Sequence, residues 1–100
     1  MKISDVKIID YYDMPISISY KIDDDKYGIA LYVDDLKDAI RYLGVIITEK
    51  EHEEVENYSL DVINFFKDYE KYKDRQWLYI DVDDNDDNIQ MVDFSSIKKE

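Results

Sequence analysis

The sequence holds no cysteine, one proline, two glycines and one histidine. Without cysteine it has no disulfide framework, no zinc–thiolate site, no iron–sulfur cluster and no thiol nucleophile. Gly28 and Gly44 stand too far apart to form a glycine-rich phosphate loop, which argues against dinucleotide binding of the usual kind. No apolar run approaches the roughly 18–20 residues that a membrane span requires. Residues Met1–Asp5 lack the charged start and long apolar stretch of a signal peptide, so a cytoplasmic protein is expected. Positive charge is also scarce. Thirteen Lys and Arg face 25 Asp and Glu, for a formal net charge of -12.

What is present argues for order. Hydrophobic residues make up 45% of the 100 positions, and ten are tyrosine, so the acidity is not that of a disordered chain. The length suits one domain, residues 1–100, with one modest core. Such a surface repels DNA, RNA and anionic membranes, which require positive charge to displace counterions. It favours a basic protein as partner.

Patterning predicts an α+β domain. Residues 3–12, 16–22 and 27–33 read as three strands separated by Asp13-Met14-Pro15 and Asp23-Asp24-Asp25-Lys26, a β-meander. In the second, Ile16, Ile18, Tyr20 and Ile22 alternate with polar residues. Leu36, Ala39, Ile40 and Leu43 fall at helical spacing, with Gly44 as a C-cap, which predicts a short helix over 36–43. Val45-Ile46-Ile47 reads either as a buried strand or as an extended connection. Thr48-Glu49-Lys50-Glu51 has the form of a capping box. The helix it starts either runs to residue 72 or breaks near Asn57–Ser59, with Ser59 capping a second segment. Residues 76–82 and 89–94 read as a C-terminal hairpin, and 95–100 as a frayed tail. The expected architecture is an antiparallel sheet of about five strands with helices packed on one face.

Catalytic equipment is sparse. His52 lies in an acidic helical run and reads as a solvated surface residue. The serines lack a nucleophile elbow. Asp81-Val82-Asp83-Asp84-Asn85-Asp86-Asp87 superficially suggests a calcium loop. Its sixth position is Asp86 where glycine is required, and its twelfth is Val92 where a bidentate Glu is required. An acidic hairpin turn is the better reading. No enzyme activity, metal or cofactor is therefore expected.

The acids cluster at Asp23–Asp25, at Asp34, Asp35 and Asp38, over Glu49–Glu56, and over Asp81–Asp87. Asp81 and Asp83 sit two apart on a strand, about 6.5–7 Å. Glu49 and Glu53 sit four apart on a helix, about 6 Å. Both spacings approach that of successive phosphates in a nucleic-acid strand. A small, cysteine-free, strongly acidic α+β chain of this kind resembles the DNA-mimic inhibitors of phages and mobile elements, the anti-CRISPR and anti-restriction proteins. That resemblance implies a non-enzymatic inhibitor that blocks the nucleic-acid site of a CRISPR nuclease or restriction enzyme. The partner-binding candidates are Asp23, Asp24, Asp25, Glu49, Glu53, Glu56, Asp81, Asp83, Asp84, Asp86 and Asp87, with Trp77 and Tyr79 as aromatic anchors. Tyr11, Tyr12 and Tyr32 are further aromatic candidates. The stretch Asp10-Tyr11-Tyr12-Asp13-Met14-Pro15 also resembles small uncharacterised bacterial domains with the same opening. That resemblance implies no function. The rival expectation is an interaction or immunity-type module without nucleic-acid mimicry, as a monomer or a homodimer.

Overall fold

A computed structural model of the chain describes residues 2–83 and 87–97. Six antiparallel strands form one sheet in sequence order: β1 (Ile3–Tyr11), β2 (Pro15–Ile22), β3 (Lys26–Asp35), β4 (Ile40–Ile47), β5 (Trp77–Val82) and β6 (Asp87–Val92). Two short helices, α1 (Glu49–Glu56) and α2 (Val62–Lys67), and a 3-10 turn at Tyr69–Tyr72 lie between β4 and β5. The domain is mixed α+β and mostly sheet. Among the described residues no helix is long and apolar enough to cross a membrane.

The main departure from the sequence expectation is β4, which takes in residues 40–43, the second half of the segment expected to be helical. Ile40, Tyr42, Gly44 and Ile46 point to one face of the sheet, and Leu43, Val45 and Ile47 to the other. Both faces are packed, so the strand shows no apolar–polar alternation. The apolar residues of such a strand also satisfy a helical spacing by coincidence. Asp34, Asp35 and Leu36 lead into a hairpin turn closed by the Leu36 N–H donating to the Ala39 carbonyl at 2.8 Å. Six strands thus replace the expected five.

The first core lies under the helices. Ile29, Val45 and Trp77 from the sheet meet Val55 of α1 and Val62, Phe65 and Phe66 of α2. Trp77 makes edge contacts with Phe66, Tyr69 and Phe94, and its indole N–H donates to the Tyr72 carbonyl at 3.0 Å. The expected capping box is present. Thr48 accepts from the Glu51 N–H at 3.1 Å, and Glu51 accepts from the Thr48 N–H at 2.8 Å. Helix α1 ends at Asn57, followed by Tyr58 at φ 63°. Asp61 rather than Ser59 caps α2, accepting from the Ile63 N–H at 3.0 Å. The C-terminal segment departs from the expected fraying, since Phe94–Ser96 form a 3-10 turn and Ile97 is buried in this same core.

The second core lies on the opposite face, where no helix packs among the described residues. It consists of Ile18, Tyr20, Ile22, Ala30, Tyr42, Leu78 and Ile80. Its shielding comes from side chains laid across neighbouring strands. The Tyr42 hydroxyl on β4 donates to the Pro15 carbonyl on β2 at 2.7 Å, passing over β3. Tyr20 on β2 lies over Gly28 of β3 and reaches Gly44 of β4. A Cβ at Gly28 would run into the Tyr20 ring carbons, whereas one at Gly44 would run into the phenolic oxygen. This difference predicts a selective rescue. Gly28→Ala and Gly44→Ala should each destabilise by about 1–3 kcal/mol through overpacking. Adding Tyr20→Phe should recover much of the Gly44→Ala loss and little of the Gly28→Ala loss. Chemical denaturation followed by the fluorescence of the single buried tryptophan checks it. Equal rescue of both would show that the ring does not lie as described.

Candidate functional site

Strand order sorts the acidic turns to two ends of the sheet. Ile40 pairs with Val82, and Tyr11 with Pro15. The β1–β2, β3–β4 and β5–β6 connections therefore share one end. The β2–β3 turn and the start of α1 share the other. The sequence clusters do not merge into one surface. Asp81 and Asp83 belong to the first end, while Asp23, Asp24, Asp25, Glu49, Glu53 and Glu56 belong to the second. Asp84 and Asp86 lie outside the described residues, and Asp87 opens β6.

At the first end, exposed Asp13, Asp34, Asp35, Asp38 and Asp83 accompany Tyr11 and Tyr12, which are 67% and 78% exposed. Asp10 is half-buried and accepts a hydrogen bond from the Ser17 hydroxyl at 2.6 Å. The negative field acts on Tyr32. Lost hydration, the Asp35 carboxylate to which the phenol donates, and Asp34 together raise its pKa above the ordinary value.

Several sequence candidates are already occupied within the fold. Trp77 is 1% exposed and anchors the first core, so it is not a surface anchor. Tyr79 lies beneath the Arg41 guanidinium, 4.4 Å from its ring centre. Asp81 accepts two hydrogen bonds from Arg41, from Nε at 2.8 Å and Nη2 at 3.0 Å. That pairing raises the Arg41 pKa and neutralises the carboxylate. Alternation places Trp77, Tyr79 and Asp81 on one face, but it does not reveal that helices and an arginine cover that face.

The second end is more internally paired. Asp23 and Asp24 hold φ of 53° and 64°, a conformation suited to a tight hairpin. Asp23 accepts from the Lys2 N–H at 2.9 Å. Glu49 and Glu53 are exposed, and Asp25 is exposed in the turn. Glu56 accepts from Lys7 Nζ at 2.8 Å and lies 3.0 Å from His52 Nε2. His52 is not the solvated residue expected from sequence. Its side chain is 18% exposed and stacks on Tyr27 at a centroid distance of 4.1 Å. These residues, with Asp5 and Lys21, border a groove of about 380 Å³. Alternating charges, Lys7 with Glu56 and Lys21 with Asp5, join α1 and β2 to strand β1 across it.

Among the described residues, no three carboxylate or imidazole groups converge in an arrangement that could hold a metal ion. Comparison with protein-family models, curated proteins and solved structures gives no match.

The Glu51–Arg75 pair sets a pH dependence. Partial burial opposes ionisation of Glu51, but two hydrogen bonds from Arg75 at 2.7 and 3.1 Å and the Thr48 N–H hold its carboxyl below the ordinary value of 4.5. A carboxyl lowered by folding contributes stability that is complete above its unfolded pKa. That stability is lost as pH falls through the folded pKa. Glu51→Gln should therefore cost on the order of 1 kcal/mol near neutrality. The gap from the parent chain should close as acid protonates Glu51. Urea melts across pH check this, and a gap that persists unchanged in acid would remove the ion pair as its cause.

Proposed function

We propose that the chain is a non-enzymatic acidic inhibitor that occupies the nucleic-acid site of a basic bacterial defence protein, such as a CRISPR nuclease or restriction enzyme. The observation that carries this reading is the convergence of carboxylate-bearing turns at one end of the sheet. Asp13, Asp34, Asp35, Asp38 and Asp83 stand there with the cations Lys37 and Arg41, and Arg41 is paired to Asp81. Neighbouring strands lie about 4.8 Å apart, so successive turns at this end stand about 10 Å apart. That interval falls between the widths of the minor and major grooves of B-DNA, about 6 and 12 Å. Carboxylates carried on these hairpin turns can stand in for phosphates in a basic channel.

The exposed pair Tyr11 and Tyr12 favours a second reading, an interaction or immunity-type module that recognises a protein without mimicry. Exposed tyrosine rings beside charge are frequent anchors of protein interfaces.

Capture from a bacterial lysate, repeated with added DNA and at high salt, separates the two readings. For the inhibitor, the captured protein is basic and binds nucleic acid, and DNA or salt releases it. Asp34→Asn/Asp35→Asn/Asp38→Asn should abolish capture, while Asp23→Asn/Asp24→Asn/Asp25→Asn at the opposite end should preserve it. A partner that resists both salt and DNA and is lost on Tyr12→Ala would overturn the mimic in favour of the module.

A further inference from the structure

Among the described residues other than glycine, Asp5, Asp13, Asp23, Asp24 and Tyr58 hold a positive φ. Aspartate visits this region readily, because its short polar side chain bonds locally. A bulky residue there is an outlier. Tyr58, at φ 63°, follows Asn57, the C-cap of α1. Its N–H donates to the Val55 carbonyl at 3.2 Å, and the Ser59 N–H donates to the Glu54 carbonyl at 2.9 Å. These two bonds form a Schellman motif, whose left-handed position is usually held by glycine. Closing the helix in this way requires the left-handed backbone, and a β-carbon there is a cost.

The Tyr58 ring adds little to the fold in exchange. The residue is 88% exposed. Among the described residues, no hydrogen bond, ring contact or ion pair engages its side chain. Elsewhere in the chain, tyrosine rings hold guanidinium groups. Arg41 lies 4.4 Å from the centre of the Tyr79 ring and pairs with Asp81 through two hydrogen bonds. Arg75 lies 5.2 Å from the centre of the Tyr72 ring and pairs with Glu51 in the same way. Glu53 and Glu54 stand in the last turn of α1, just before Tyr58. No ion pair engages either of them among the described residues.

We propose that Tyr58, with Glu53 and Glu54, docks an arginine side chain of a protein partner. Strain at an exposed residue that the fold does not use is the mark of a site kept for another purpose. The partner segment carries arginine rather than lysine, because a planar guanidinium stacks on a ring and pairs with a carboxylate at once. The net charge of -12 favours the approach of such a cationic segment. The site belongs to the α1–α2 connection, not to the turns at the first end of the sheet, so it is independent of the acidic-inhibitor reading.

Fluorescence anisotropy of labelled hexa-arginine and hexalysine peptides, titrated with the full chain at one ionic strength, tests it. The parent chain should bind hexa-arginine about threefold to fivefold more tightly than hexalysine. Tyr58→Phe should keep that preference, whereas Tyr58→Ala and Tyr58→Gly should lose it. Urea denaturation of the same variants separates a binding role from a structural one. Tyr58→Ala keeps the β-carbon and should leave the unfolding midpoint nearly unchanged. Tyr58→Gly relieves the left-handed strain and should raise it. An arginine preference that is absent from the parent, survives Tyr58→Ala, or is lost on Tyr12→Ala instead would overturn the proposal. So would a midpoint lowered by Tyr58→Ala, since the ring would then serve the fold.

Discussion

Tyr20 imposes the constraint on which the rest of the fold depends. Its ring needs two successive strands without side chains beneath it, and Gly28 and Gly44 supply them. The hydroxyl then lies 3.4 Å from the Ile29 carbonyl, which accepts from it inside the protein. Burial holds the phenol far above its ordinary pKa, so it stays neutral. Reaching from β2 across β3 to β4, the side chain helps shield the second core where no helix packs among the described residues. The opposite face is left for α1, α2 and the Trp77 cluster. One polar-tipped aromatic thus lets a single sheet bury both its faces within 100 residues.

This arrangement also explains what the sequence could and could not reveal. Strand β2 was legible because Ile16, Ile18, Tyr20 and Ile22 alternate with serines and lysine. Helix α1 was legible because the Thr48–Glu51 capping box is a local signal, complete within four residues. Strand β4 was hidden because both its faces are apolar, and Gly44 looked like a helix terminator. Its role, accommodating a tyrosine from two strands away, is a tertiary fact with no local trace. Trp77 fails as a surface candidate for a related reason. Alternation told which residues share its face, but not that Phe66, Tyr69 and Phe94 cover it. The acidic clusters were plain in sequence, and their separation into two ends follows only from strand order.

Electrostatics divides along the same lines. The chain has two arginines, Arg41 and Arg75, and both are used in the same way. Each takes a carboxylate through two hydrogen bonds and covers a tyrosine ring, Tyr79 for Arg41 and Tyr72 for Arg75. The planar guanidinium suits both tasks, where a lysine ammonium would serve only as a point charge. These pairs spend two acids, Asp81 and Glu51, on holding the fold together. The exposed aspartates at the turns are different. Their mutual repulsion costs stability that packing elsewhere in the fold must offset.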